Sequence, residues 1–333
     1  MSEALRPAPA AKPRHALSPA SLLRRFGPLL GLLILCGALG GASDRFLTAD
    51  NLLNVCRQSA VNALISLGQL TVIITGGIDL SVGSILGLCC VMVALLMHAG
   101  VPPVISVVAA LAIGSALGAI NGILLTKLHL PHPFIPTLGM MNVARGLALV
   151  ISGGFPISEL PSGFRFWGAG SIGWIPAPVI LVLLLCGAFY VFLGRTTIGR
   201  DIYAIGGNQQ AARLSGVPVD ARLVLVYALS GLTAAAGAIV LAGRMNSGFP
   251  LAGVGSELDS IAAVVIGGAS FLGGVGTVSG TIVGALIMGV LRNGLNLLNV
   301  SAAWQTVVIG IVIVAAVWVD IGRQRAAERG SAE

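Results

Sequence analysis

The chain has 333 residues, 56% of them hydrophobic and only 9% charged, with a mean hydropathy of +0.96. A soluble domain carries about 25% charged residues, so the composition excludes a water-soluble globule and marks an all-α integral membrane protein. The net charge of +7 does not mark a nucleic-acid binder, because the basic residues are sorted along the chain in the way that sets membrane orientation.

Residues 1–25 are rich in Ala, Pro and Arg and read as a disordered cytoplasmic tail. Arg24 and Arg25 then precede an apolar run, 26–42, which is either a first span or a cleaved signal segment. A helix needs about 20 apolar residues to cross the hydrocarbon core. On that measure ten spans are expected, at 26–42, 54–74, 82–99, 103–125, 134–152, 174–194, 223–243, 258–274, 278–298 and 302–320. The third, fifth and eighth are short enough to be broken or incomplete crossings. With the N-terminus inside, inner segments hold 13 of the 19 basic residues, while outer loops hold only Arg45, Arg165 and Arg244. Arg57, Arg145 and Arg292 fall within spans. The asymmetry predicts both termini in the cytoplasm. The membrane domain then runs over 26–321, with a long inner loop at 195–222 and a cytoplasmic tail at 322–333.

Five features along the chain stand out. Between spans two and three, TVIITGGIDLSVGS (71–84) places a carboxylate between two apolar segments. Gly76 and Gly77 permit a tight inside hairpin. Asp79 or Ser81 is expected to cap the first turn of span three, where a negative charge also suits the helix dipole. A contact of Asp79 with an inner gate is the competing reading. Ahead of span five, LPHPFIPT (130–137) holds three prolines in six residues, which predicts broken backbone until about Pro136. Such backbone at membrane depth lines protein or a watery cavity, which makes Phe134 and Thr137 candidates to face one. A simple turn is the alternative.

Polar side chains inside spans are the third feature. Asn62 and Gln69 are seven apart and share a face. Asn121 and Asn142 add two more amides, which either bond a polar solute or bridge helices. Arg145 should face protein or water, whereas Arg57 and Arg292 lie near span ends and are expected to snorkel. Fourth, the inner loop GRTTIGRDIYAIGGNQQAARLSGVPVDAR (194–222) carries a helix signal: Asn208 as cap, Gln209 to Leu214 as helix, Gly216 as stop and Pro218 as barrier. This short helix is either a docking element for another protein or a solvated connector. Fifth, Arg244, Asn246, Glu257 and Asp259 surround span eight on the outer face, available for docking or simply solvated. A weaker internal likeness joins 72–87 to 264–284, where both run apolar, Gly-Gly, polar turn, Val-Gly, apolar.

Catalytic and redox chemistry find little support. Cys36, Cys56, Cys89, Cys90 and Cys186 all lie in apolar segments without C-x-x-C spacing. No H-E-x-x-H and no G-x-x-x-x-G-K-[ST] occurs, so no metal site is expected and any ATP must be bound elsewhere.

Four ordered stretches carry a specific likeness: ITGGIDLSVGSILGL (74–88), NGILLTKLHLPHPFIPTLGMMNVARGLALVISGG (121–154), TTIGRDIYAIGGNQQAARLSGVPV (196–219) and ELDSIAAVVIGGASFLGGVGTVSGTIVGALIMGVLRNGLNLL (257–298). With them the chain resembles the permease subunit of monosaccharide ABC transporters of the ribose, xylose and galactose type, over about residues 45–320. His132, between Pro131 and Pro133, departs from that family's usual pattern.

The resemblance implies a multi-pass protein of the bacterial inner membrane. It also implies a homodimer served by a cytoplasmic ABC ATPase and a periplasmic sugar-binding protein. The chain itself would be no enzyme and hold no cofactor, with ATP and magnesium bound by the partner subunit. Gly199, Arg200, Ala204, Gly206, Gly207, Asn208, Ala211, Arg213 and Gly216 would belong to the element that couples to the ATPase. Asn62, Gln69, Asn121, Phe134, Thr137 and Asn142 would line the translocation path. Arg244, Asn246, Glu257 and Asp259 would meet the binding protein. The rival is an ion-coupled secondary transporter, which needs a titratable residue at mid-membrane. Asp79, Asp259 and Asp320 lie at span ends instead.

Overall fold

The computed structural model describes residues 19–330; the first 18 residues of the expected N-terminal tail and the last three of the C-terminal tail lie outside them. The described residues form helices α1 (Pro19–Ala42), α2 (Ala49–Ile74), α3 (Val82–His98), α4 (Pro103–Lys127) and α5 (Phe134–Ser152). A short connection follows, with strand β1 (Ile157–Ser158), α6 (Ser162–Ala169), and strands β2 (Ser171–Ile172) and β3 (Ile175–Pro176). Next come α7 (Ala177–Arg195), α8 (Thr197–Gly207), α9 (Gln209–Leu214) and α10 (Val219–Met245). Strand β4 (Ser247–Gly248), α11 (Ser256–Ile266), α12 (Val278–Leu297) and α13 (Ala302–Gly330) complete the order. The two-residue strands pair antiparallel, β1 with β4 and β2 with β3.

A helix stands at each of the ten expected spans, but they are not equivalent. Five, α4, α5, α7, α10 and α12, are long and apolar enough to cross a membrane; 27–42, 82–98 and 302–318 are shorter apolar helices. The first helix starts at Pro19 rather than at 26. The eighth expected span, 258–274, is corrected by α11, which ends at Ile266. At 1.5 Å per residue its 11 residues rise about 16 Å, half of the hydrocarbon thickness. Gly267 to Thr277 then run as irregular backbone. Span five also differs from expectation, since α5 begins at Phe134 and takes Pro136 into its first turn. A proline is tolerated there because that N–H has no intrahelical acceptor.

The core is built around α10. Its apolar window is 72% buried, against 22% for α4. α4 nonetheless packs tightly on it through Gly114, Gly118 and Gly122, one per turn. A Cβ at Gly118 would overlap the Tyr227 carbonyl, so only hydrogen at this position lets the two backbones meet. Around this pair, Leu64, Ile65, Ile85, Leu86, Ala234 and Ala238 form the main apolar cluster. A second cluster of Leu67, Leu70, Ile73, Ile202, Val226 and Val264 joins α2 and α10 to α8 and α11. Ile34, Val104, Val150, Leu184, Val314 and Trp318 are exposed. Surface of that character is costly in water and natural in lipid.

Candidate functional site

The 75–81 segment between α2 and α3 is a buried polar knot. Asp79 has no exposed surface. Its Oδ1 accepts hydrogen bonds from the Ser81 backbone N–H (2.9 Å) and the Ser81 hydroxyl (2.6 Å), and its Oδ2 accepts from the Ser230 hydroxyl on α10 (2.8 Å). The Asn121 side chain on α4 donates to Ser81 Oγ at 2.9 Å. Thr137 Oγ1, in the first turn of α5, lies 3.3 Å from the Ile78 carbonyl. In the amide orientation that satisfies both groups, Gln69 on α2 donates to the Asp79 carbonyl (3.1 Å) and accepts from its N–H (3.3 Å). Four helices therefore grip one loop. The expected capping role is corrected: Ser81 occupies the N-cap of α3 without a side-chain cap bond, because its hydroxyl is spent on Asp79. Nor is Asp79 at a hairpin surface.

The inner-loop helix expected from Asn208 to Gly216 is present as α9. The Asn208 side chain accepts from Ala211 N–H at 2.9 Å, and Gly216 takes a left-handed φ of +84° that ends the helix. Ala211, Arg213 and Leu214 point to solvent; Leu214 is 90% exposed, an unusual place for a leucine. The helix before it, α8, was not anticipated. Its first turn is capped by Thr196 Oγ1, which accepts from Gly199 N–H at 3.0 Å. Gly199 is buried against the end of α7, while Arg200, Ala204 and Gly207 are exposed.

Gly206 fixes where α8 sits. A Cβ on it would overlap the Ile74 carbonyl at the end of α2 and the Gly274 N–H in the 267–277 loop. Those two groups are themselves hydrogen-bonded at 2.8 Å. The two look-alike segments, 72–87 and 264–284, thus lie edge to edge, with α8 across their junction. Tyr203 on α8 donates to the Gly276 carbonyl at 2.8 Å, and burial pushes its hydroxyl pKa up, which keeps it a donor. Arg222 at the start of α10 bonds Asp201 at 2.8 Å, and Arg213 bonds Asp220 at 2.6 Å. Beside α9 a cavity of about 360 Å³ is bordered by Thr75, Gly77, His129, Pro133, Gln209 and Tyr227.

At the opposite end, polar groups from several helices gather around α11. Asp259 is buried and accepts from the Arg292 guanidinium at 2.5 Å. Arg292 is therefore held by a carboxylate rather than snorkelling freely. Glu257 accepts from Gly255 N–H at 3.2 Å. Arg145 itself donates to Ser84 Oγ on α3, at 3.2 Å from Nε and 2.9 Å from Nη2. Asn246 ends α10 with φ +54° and accepts from Leu160 N–H at 3.1 Å. Arg244 is exposed, and Arg57 reaches Ser171 Oγ at 3.3 Å.

The six amide and path residues thus divide. Gln69, Asn121 and Thr137 are buried in the Asp79 knot. Phe134 is 45% exposed, Asn142 is exposed and bonds its own helix at Leu138, and Asn62 is half-buried. Sequence reading missed Ser230, Ser84 and Tyr227. Ser84 left a signal, as the one hydroxyl of an apolar helix, whereas Ser230 shares α10 with Tyr227 and Thr233.

A family described as branched-chain amino acid transport system / permease component matches residues 51–317. The ribose import permease protein RbsC of Bacillus subtilis (strain 168) is 47% identical over 301 residues, covering 90% of this chain and 93% of that protein. The ribose import permease protein RbsC of Escherichia coli (strain K12) is 43% identical over 300 residues, 89% of this chain and 93% of its own. The D-allose transport system permease protein AlsC of Escherichia coli (strain K12) is 40% identical over 298 residues, with 89% and 91% covered. No solved structure matches the chain.

Proposed function

This chain belongs to the branched-chain amino acid transport system / permease component family, and from that membership and its sugar-permease relatives we propose how it works within a monosaccharide ABC importer. It is the multi-pass membrane permease subunit of such an importer, not a catalytic enzyme. Ten membrane-embedded helices with both termini inside agree with a helix at every expected span and with the sorting of Lys and Arg. The working unit is a homodimer in the bacterial inner membrane, with a cytoplasmic ATPase that binds ATP and magnesium and a periplasmic binding protein that brings the sugar. Coupling to an ion gradient is not favoured by the family.

One observation carries the mechanism: Gly206 seats α8 directly on the bonded pair Ile74 and Gly274. The exposed face of α9, with Ala211, Arg213 and Leu214, docks into the ATPase. Asn208 and Gly216 hold α9's length, and Gly199 lets α8 start directly against the end of α7. Displacement of α9 moves α8, and α8 moves the loops that end α2 and begin α12. The Asp79 knot binds the first loop to α4, α5 and α10, so the inner ends of these helices move together. Gln69, Asn121 and Thr137 act in this gate as holders, while Asn62, Phe134 and Asn142, which lie outside the knot and keep exposed surface, meet the solute. At the outer face, Arg244, Asn246, Glu257 and Asp259 surround the region that receives the binding protein.

The test is ATP hydrolysis by the complex in nanodiscs. Hydrolysis rises at least fivefold with sugar-loaded binding protein. An equal rise with free sugar alone would contradict the assignment.

A further inference from the structure

The connection from α5 to α7 crosses the outer face, and its second half is almost free of charge. Residues 160–176 hold one arginine, Arg165, and no acidic residue. Strands β2 and β3 form a hairpin turned by Gly173 and Trp174, with Gly173 at φ +59°, as such a two-residue turn requires. Trp174 at the tip is 89% exposed, and Ile172 and Ile175 beside it are 61% and 50% exposed. This tip is firmly held. Phe164 and Gly168, four apart, put one face of α6 against α10, where a Cβ at Gly168 would overlap the Val240 carbonyl. The Gly170 carbonyl accepts from Ala177 N–H at 2.9 Å, which ties the base of the hairpin to the start of α7. Arg57 on α2 donates to Ser171 Oγ at 3.3 Å.

The length of α7 fixes the height of the tip. The helix starts at Ala177, directly after β3, and ends at Arg195; its 19 residues rise about 28 Å. The hydrocarbon core is about 30 Å thick, so α7 spans it with nothing to spare. With Arg195 at the inner boundary, Ala177 stands at the outer one, and Trp174 just ahead of it stands at the level of the lipid headgroups. Tryptophan favours that level because its ring is apolar and its N–H stays wet. Leu183, Leu184 and Val191 on α7 are exposed, so the tip continues the apolar surface that α7 turns to lipid.

We propose that the β2–β3 hairpin is an interfacial anchor, whose tip of Ile172, Trp174 and Ile175 lies in the outer leaflet at the boundary between headgroups and acyl chains. A surface that a soluble partner visits must also stand in water when that partner is gone, which an uncharged Ile-Trp-Ile tip does poorly. Lipid covers it at all times. The end of the α5–α7 connection therefore serves the membrane and not the docking of a binding protein. The proposal rests on α7 crossing the bilayer and is independent of the solute carried and of the ATPase.

The experiment uses the full chain in nanodiscs. Its four tryptophans are Trp167, Trp174, Trp304 and Trp318. With Trp167→Phe, Trp304→Phe and Trp318→Phe combined, Trp174 alone reports. Lipids brominated near the headgroup end of the acyl chain quench its emission at least twofold, lipids brominated near the chain end quench it less, and sugar-loaded binding protein changes neither result. In the otherwise unaltered chain, Trp174→Phe removes the same share of the shallow quenching, which gives the reading even where the triple variant fails to insert. Any other pattern overturns the proposal. Quenching by aqueous iodide without quenching by bromolipids places the tip in water. Relief of that iodide quenching by the binding protein makes the tip a docking surface, and insensitivity to both quenchers puts a second copy of the chain over it.

Discussion

Ser230 on α10 donates a hydrogen bond to the Asp79 carboxylate at 2.8 Å, across 151 residues of sequence. That bond turns a short loop between two helices into a joint shared with α10, the most buried of the five long apolar helices. Asp79→Ala leaves the Ser81 N–H, the Ser81 hydroxyl and the Ser230 hydroxyl without their acceptor. Each bond to a charged group is worth about 1.5–3 kcal/mol, part of which water or relaxation recovers. The expected loss is about 3 kcal/mol, read as a lower thermal midpoint of the detergent-solubilised protein. Asp79→Asn keeps one acceptor and falls between. A midpoint unchanged by Asp79→Ala would show that the knot holds nothing.

Gly206→Val separates α8 from Ile74 and Gly274. The expected outcome is a permease that still inserts and still binds its ATPase, but whose sugar-stimulated ATP hydrolysis falls at least tenfold. Stimulation at the wild-type level in this variant would disprove transmission through that seat.

Leu214→Asp tests the docking face. At 90% exposure Leu214 contributes little to the fold of the isolated chain, so thermal stability should not change. Affinity for the ATPase should weaken at least tenfold, about 1.4 kcal/mol, in a titration of labelled ATPase onto nanodiscs. Full affinity would remove α9's tip from the interface.

The Asp259 and Arg292 pair is half-exposed on the arginine side, with side-chain exposures of 11% and 40%. Arg292→Met leaves a carboxylate unpaired near lipid and should destabilise by about 2 kcal/mol. Adding Asp259→Leu should recover most of that loss, which a double-mutant cycle on thermal midpoints measures. Equal effects of the single and the double variant would show that the pair is not coupled.

What the sequence makes legible follows from how local each signal is. α9 is set by a cap, a stop and a barrier within eleven residues, so Asn208, Gly216 and Pro218 place it correctly. The spans follow from apolar run length and survive as helices. α11 did not, because the hydropathy of VVIGGASFLGG does not reveal that the helix stops at Ile266 and irregular backbone continues. The Asp79 knot was misread for a different reason. Its partners, Gln69, Asn121, Thr137 and Ser230, sit on four helices, and no short-range pattern announces that they converge. Asp79 looked like a cap because Asp and Ser are both favoured at helix starts and both stand just ahead of α3. The seat of α8 was equally hidden, since the need for glycine at 206 comes from backbone at Ile74 and Gly274.

The central claim is that this chain passes a sugar only under the drive of a partner ATPase. Proteoliposomes containing the chain, its ATPase and its binding protein should accumulate D-ribose or D-allose when ATP is supplied. They should lose at least nine-tenths of that uptake when either partner is omitted. Uptake of equal size by the chain alone, driven by a proton gradient, would contradict the account.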